Sequence, residues 1–330
     1  MQVKDLGNIY SSGGDFTTKA ALLQSCYRVD RTEPQGKTTV AVFAGFDSAG
    51  KRNYNKIVKE YGHIVSGGED KNKNFYFEET FKYAHERIRN KKPEETIKAD
   101  RLFNNLLSSM PLAFNLFHPL MMLLKSDPNN VNQIVAALFP DYPVVEVERI
   151  DIEFIPLPVS SYTEDKSAMD AVIFFTDNHN NRNIISIEVK YTDSLGTNKA
   201  KENSLKVETA IASGLFSTEG IESVKQGCTQ IYRNFLLTEK YRMVHHLANS
   251  YSIILAPKKH PTTLNEINSL KKQFNESCPE SKLKKYDLED FVKTISENVI
   301  EKYRPWIDWF TNRYLNFDSV EELFIGVKQT

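Results

Sequence analysis

Three residues near the middle of the chain have the types and spacing for phosphodiester chemistry. The segment Ser167 to Leu195 reads SAMDAVIFF, then a polar break TDNHNNRN, then IISIEVKYTDSL. Asp170 opens the first apolar run, and Glu188 and Lys190 stand near the end of the second. Both runs are rich in Val, Ile, Phe and Tyr, which favours strands, and the break carries the Asp and Asn residues of a turn. A β-hairpin is therefore predicted. Side chains alternate along a strand, so Ile185, Ile187 and Val189 share one face and Ser186, Glu188 and Lys190 the other. Folding about residue 180 sets Asp170 opposite Lys190 and diagonal to Glu188, about 4.5–5.5 Å and 7–8 Å away respectively. Two carboxylates so placed are hard oxygen ligands for one cation such as Mg²⁺, which takes one or two of them plus water and phosphate oxygens. The lysine adds a compact positive charge for a water or a phosphate. The same three residues equally fit a surface hairpin with a cross-strand ion pair, because an acid followed by acid–x–lysine arises often by chance.

Context separates the two readings. SAMDA with IEVKYTDS resembles the PD-(D/E)XK nuclease superfamily, which has the restriction-endonuclease-like fold, and more narrowly a bacterial nuclease-like branch of it. Upstream, RLFNNLLSSMPLAFNLFHPL (Arg101 to Leu120) is similar to that branch's Ser-Ser…Phe-Asn-Leu-Phe helix. Downstream, QIYRNFLL (Gln230 to Leu237) is similar to its Gln-x-x-Arg-Asn helix. The resemblance covers Phe75 to Pro257 and, more weakly, the C-terminal tail. It implies that Asp170 and Glu188 are the metal-binding acids and Lys190 the motif lysine. Glu153, in VERIDIEFIPLP, matches an acid on the preceding strand, or is a solvated strand residue. Gln230 matches a helical glutamine beside the site, or is a polar cap. Met169 stands where the motif's name has proline, and no single helical glutamate before the first strand stands out as the fourth corner of the site. The resemblance further implies Mg²⁺ as cofactor, with Mn²⁺ able to substitute, and DNA ahead of RNA as substrate. It favours endonuclease over exonuclease action, in restriction or defence. The alternatives it leaves open are a DNA repair or recombination nuclease, a catalytically silent nucleic-acid-binding module, and a homodimer.

The elements needed to position these residues can be read along the chain. A helix is expected over Phe77 to Lys92, another around 98–109, an apolar helix interrupted near Pro119, and one at 129–139. Strands are expected at 144–155, in the hairpin and at Tyr251 to Pro257, with helices at 200–215 and 222–243. This is an αβββαβ order, an α/β fold with a mixed sheet flanked by helices. The expected division is an N-terminal accessory region, 1–74, and a nuclease domain, 75–330. The domain has its core at about 101–257 and a helical part at 258–330. In that part Trp306, Trp309, Phe310 and Tyr314 fall at helical spacing and read as core.

Composition sets limits. The 330 residues are 40% hydrophobic and 26% charged, an ordinary globular profile. Net charge is −1, so any nucleic-acid surface must be a local patch. Cys26, Cys228 and Cys278 form no zinc spacing or disulfide framework, the start lacks the order of a signal peptide, and the apolar stretch Met110 to Leu124 is too short to span a bilayer. A cytoplasmic protein without membrane partners is expected. GFDSAGKR (Gly45 to Arg52) nearly matches a phosphate-binding loop. It carries Arg52 where the Mg²⁺-ligating hydroxyl belongs, so a hairpin turn is expected there. The lysines at 258, 259, 271, 272, 282, 284 and 285 read as a solvated face, or alternatively as a phosphate-tracking surface.

Overall fold

The structure, a computed structural model, describes residues 2–11, 13–31, 40–46, 52–65, 67–196, 199 and 203–329, with the backbone alone for the hairpin within 40–60. Its helices and strands, in chain order, are α1 (Gly14–Arg31), β1 (Val40–Phe46), β2 (Arg52–Glu60), α2 (Glu78–Arg89), α3 (Ser109–Ser126), α4 (Pro128–Leu138), β3 (Glu146–Phe154), β4 (Met169–Thr176) and β5 (Arg182–Val189). There follow α5 (Ser204–Ser213), α6 (Thr218–Lys225), α7 (Gln230–Val244), β6 (Asn249–Ala256), α8 (Thr263–Lys271), β7 (Leu283–Asp287), α9 (Leu288–Asn298), α10 (Arg304–Tyr314) and α11 (Glu321–Lys328).

Strands β3 to β7 form one mixed sheet in that order. β3–β4 and β4–β5 run antiparallel, β5–β6 and β6–β7 parallel. The αβββαβ order is present, and β7 extends it as a further parallel strand inside the stretch read as helical. Leu283–Asp287 is LKKYD, with one buried and four half-buried residues. Such an edge strand has no apolar alternation to read.

The two sheet faces have different partners. Ile150, Ile152, Ala171, Ile173, Phe175, Ile185, Ile187 and Val189 join one core with the apolar residues of α3, α4, α9 and α10. Val172, Phe174 and Ile184 pack on the opposite face against Leu237 and Tyr241 of α7. Ala20 and Ala21 of α1 belong to the first core, and Gln24 donates to the Tyr191 hydroxyl at 3.2 Å. Trp306, Phe310 and Tyr314 are fully buried and Trp309 packs partly buried beside them, as their spacing predicts.

Helix α3 is not interrupted at Pro119. Proline lacks the N–H that would bond the carbonyl four residues back, here that of Asn115. The Trp306 indole donates to that carbonyl at 2.8 Å instead. The Asn115 side chain bonds the Asn74 carbonyl and the Tyr314 hydroxyl and accepts from Tyr76 N–H, so this buried polar residue is satisfied. The expected helix around 98–109 is a single π-helical turn, Asp100–Asn104, followed by an N-cap at Ser108, whose side chain accepts from Met110 N–H. The near-phosphate-loop lies across residues 47–51, outside the described residues; the strands on either side of it pair antiparallel, Phe46 with Arg52.

Candidate active site

The hairpin folds as expected but one step tighter. Ala171 pairs with Ile187 and Thr176 with Arg182, leaving a five-residue loop centred on 179. The Asp177 carboxylate organises that loop by accepting from the His179 and Asn181 N–H groups, each at 2.9 Å, and Asn180 adopts a left-handed φ of 60°. The register therefore brings Asp170 across from Glu188, not from Lys190. On the other side Ile152 pairs with Ala171 and Phe154 with Met169, which sets Glu153 across from Asp170. Three carboxylates thus form a row across β3, β4 and β5, on the face that α7 covers.

Helix α7 holds the row in place. Gln230, Asn234 and Thr238 lie four residues apart on one stripe, a spacing of about 6 Å that matches two residues of strand. Gln230 Nε2 donates to Glu188 Oε1 at 2.7 Å and Asn234 Nδ2 to Glu188 Oε2 at 2.5 Å; Thr238 donates to Ser186 Oγ at 2.8 Å. Lys190 Nζ stands 2.5 Å from Glu188 Oε1. One oxygen of Asp170 accepts the Val189 N–H at 2.7 Å. The rest of the motif serves packing. Tyr191 is fully buried and donates to the Tyr314 carbonyl, Thr192 to the Leu107 carbonyl, and Asp193 accepts Ser109 N–H at the start of α3.

Glu153, Asp170, Glu188, Lys190 and Gln230 all line one cleft of about 420 Å³. Lys98, Arg101, Asp165, Lys166 and Arg233 line it too, and none of these was singled out from sequence. Arg101, Arg233 and Asn234 lie within the segments that carry the resemblance. The polar stripe Gln230–Asn234–Thr238 in an apolar helix is a signal that could have found Asn234. The C-terminal lysines do not line the cleft. Lys271 pairs with Glu280, Lys282 with Glu239, Lys284 with Asp141 and Lys285 with Asp287.

Glu153 owes its aim to a kink. Its φ is 51°, a left-handed conformation that costs a non-glycine residue on the order of 1 kcal/mol. Successive carbonyls of a regular strand point to opposite sides, yet Arg87 of α2 donates to both the Ile152 and the Glu153 carbonyls. The guanidinium fork fits this pair only because the chain turns between them. Glu95 fixes Arg87 in turn at 2.9 Å.

Burial sets the electrostatics of the acid row. Burial, then Glu188 and Glu153, push the Asp170 carboxyl well above the usual carboxylate range. Burial alone would lower the Lys190 ammonium, but Glu188 and Asp170 outweigh it and hold it raised. Burial, reinforced by Glu188 against the pull of Arg87, pushes Glu153 from 4.5 up to about 7. Between those values the folded protein keeps a proton that the unfolded chain has released, so stability falls as pH rises through this window. In metal-free protein, Glu153→Gln is expected to flatten that fall. Urea midpoints at the two ends of the window measure it, and an unchanged fall in the variant would assign it elsewhere.

Divalent metal suits this donor set. Among the described residues, no group of three or more His, Cys, Asp and Glu side chains stands close enough to hold an ion by itself. Mg²⁺ needs only one or two carboxylates, completed by water and phosphate oxygens. Asp170 and Glu188 fit that requirement, and their mutual repulsion is what a cation relieves.

A five-stranded mixed sheet with helices on both faces, opening at a cleft lined by acids and a lysine, defines an α/β protein of the restriction-endonuclease-like fold. The chain belongs to the PD-(D/E)XK nuclease superfamily, whose family model matches residues 11–316. Divalent metal use is typical of that superfamily. No curated protein and no solved structure matches the chain. Among the described residues no helix is long and apolar enough to cross a membrane.

Proposed function

We propose that this protein is a Mg²⁺-dependent endonuclease that hydrolyses DNA, with Mn²⁺ able to replace Mg²⁺ and with restriction or defence as its setting. The observation that carries the proposal is the convergence of Asp170, Glu188 and Lys190 in one cleft, with Gln230 and Asn234 fixing both oxygens of Glu188. In this reading Asp170 and Glu188 hold the divalent ion. That ion supplies activation of the attacking water and neutralisation of charge developing on the phosphate. Lys190 orients the water, and Gln230 and Asn234 hold Glu188 in its rotamer. Water attacks phosphorus in line, a new P–O bond forms, and the opposite P–O bond breaks to leave a phosphate monoester and a hydroxyl. Glu153 faces the same cleft and takes a proton near neutral pH.

The test is incubation with closed circular DNA, linear DNA and RNA, each with Mg²⁺, Mn²⁺ or chelator. Cutting of closed circles that needs the ion supports an endonuclease. Cutting of linear DNA alone makes it an exonuclease, and of RNA alone changes the substrate. Binding without cutting in every arm would point to the silent module and overturn the proposal.

A further inference from the structure

We infer that Arg101 and Arg233, one from each side of the sheet, grip phosphates of a single strand on either side of the scissile one; the inference rests on the nuclease reading. Arg101 lies in the turn before α3, which packs on one sheet face, and Arg233 lies on α7, which covers the other. Both line the cleft that holds the acids. Lys190 is paired with Glu188; of the other cations lining the cleft, Lys98, Lys166, Arg101 and Arg233, the two arginines carry the planar guanidinium fork.

Neither arginine is spent on its carboxylate neighbour. Arg101 Nη2 lies 3.5 Å from Asp193 Oδ2, an oxygen that already accepts Ser109 N–H at 3.0 Å, and 3.2 Å from Ser108 Oγ. Arg233 Nη1 lies 3.6 Å from Asp165 Oδ1, which already accepts the Ser167 N–H and hydroxyl at 2.9 and 2.7 Å. The other Asp165 oxygen takes Lys206 at 3.1 Å. Arg233 Nε is buried and has no hydrogen-bond partner. A saturated arginine looks different here. Arg182 meets Glu148 through Nε and Nη2 at 2.8–3.0 Å. The long contacts at Arg101 and Arg233 orient each guanidinium while leaving donors for a further acceptor. A phosphodiester oxygen pair is the planar, bidentate partner a guanidinium fits.

The experiment is anisotropy with a short fluorescent single-stranded DNA in the Asp170→Asn background, so that binding is read without cleavage. Arg101→Gln and Arg233→Gln are each expected to weaken binding roughly 5- to 10-fold at low salt. Each should also reduce the slope of log affinity against log salt by roughly 0.7, the loss of one phosphate contact to a single strand. A merely structural role would not move that slope. Arg101→Lys and Arg233→Lys keep the charge without the fork, so the slope should persist while affinity falls. These variants serve if a glutamine variant fails to fold. Unchanged affinity and slope in folded variants would overturn the inference alone. Absence of nucleic-acid binding by the parent would overturn the nuclease reading with it.

Discussion

Asp170→Asn is expected to abolish cleavage and at the same time make the metal-free protein more stable. Burial and the two neighbouring acids hold the Asp170 carboxyl far from its preferred ionised state. Asparagine keeps an oxygen for the Val189 N–H, now bonded at 2.7 Å, and does not ionise. Relief of the cost of burying an ionisable carboxyl beside two acids should raise Tm by about 2 °C or more in the absence of divalent ions. The rate should fall by roughly 100-fold or more, the scale seen when one preorganised electrostatic group is lost. Scanning fluorimetry with and without Mg²⁺, beside a cleavage assay, reads both. The gain should vanish or reverse when Mg²⁺ is present, since the wild type then has its counter-charge. Wild-type cleavage in this variant would remove Asp170 from the site, and a lowered metal-free Tm would refute the electrostatic account.

Lys190→Met is expected to have the largest effect on the fold. The side chains of Lys190 and Glu188 are only 7% and 4% exposed. Removing one member of a buried pair leaves an uncompensated charge and costs about 3–5 kcal/mol. Gln230 and Asn234 would still donate to Glu188, but two neutral donors do not replace the ammonium. The double variant Glu188→Gln, Lys190→Met removes both charges and should recover most of the loss, because replacing a whole buried pair is often neutral. Cleavage should be absent from Lys190→Met, from Glu188→Gln alone and from the double variant. Chemical denaturation supplies the cycle, and single variants that each cost less than about 1 kcal/mol would show that the pair does not act as a buried ion pair.

The sequence by itself determined the fold class and the strand face that Glu188 and Lys190 share. Glu188 and Lys190 are two apart, so strand alternation puts them on one face. Ile185, Ile187 and Val189 are apolar at the same period, so the other face had to be the core. Hairpin, sheet and flanking helices follow from periodicity and turn chemistry, which act over a few residues and are written locally. Tertiary structure decided the rest. Asp170 faces Glu188 because the Asp177 carboxylate gathers the loop amides and closes the turn one step tighter than the strand pattern requires. Helix α3 runs through Pro119 because an indole 191 residues from Asn115 in sequence fills the bond that proline cannot make. Glu153 turns into the cleft because Arg87, from α2, collects two carbonyls that a straight strand would separate. Arg101 and Arg233 converge because α3 and α7 meet opposite sheet faces at the same strand ends. The loop closure rests on bonds only two and four residues apart, which strand periodicity does not record; the other three depend on a hydrogen bond or contact between distant segments, and no local period records which donor will meet which acceptor.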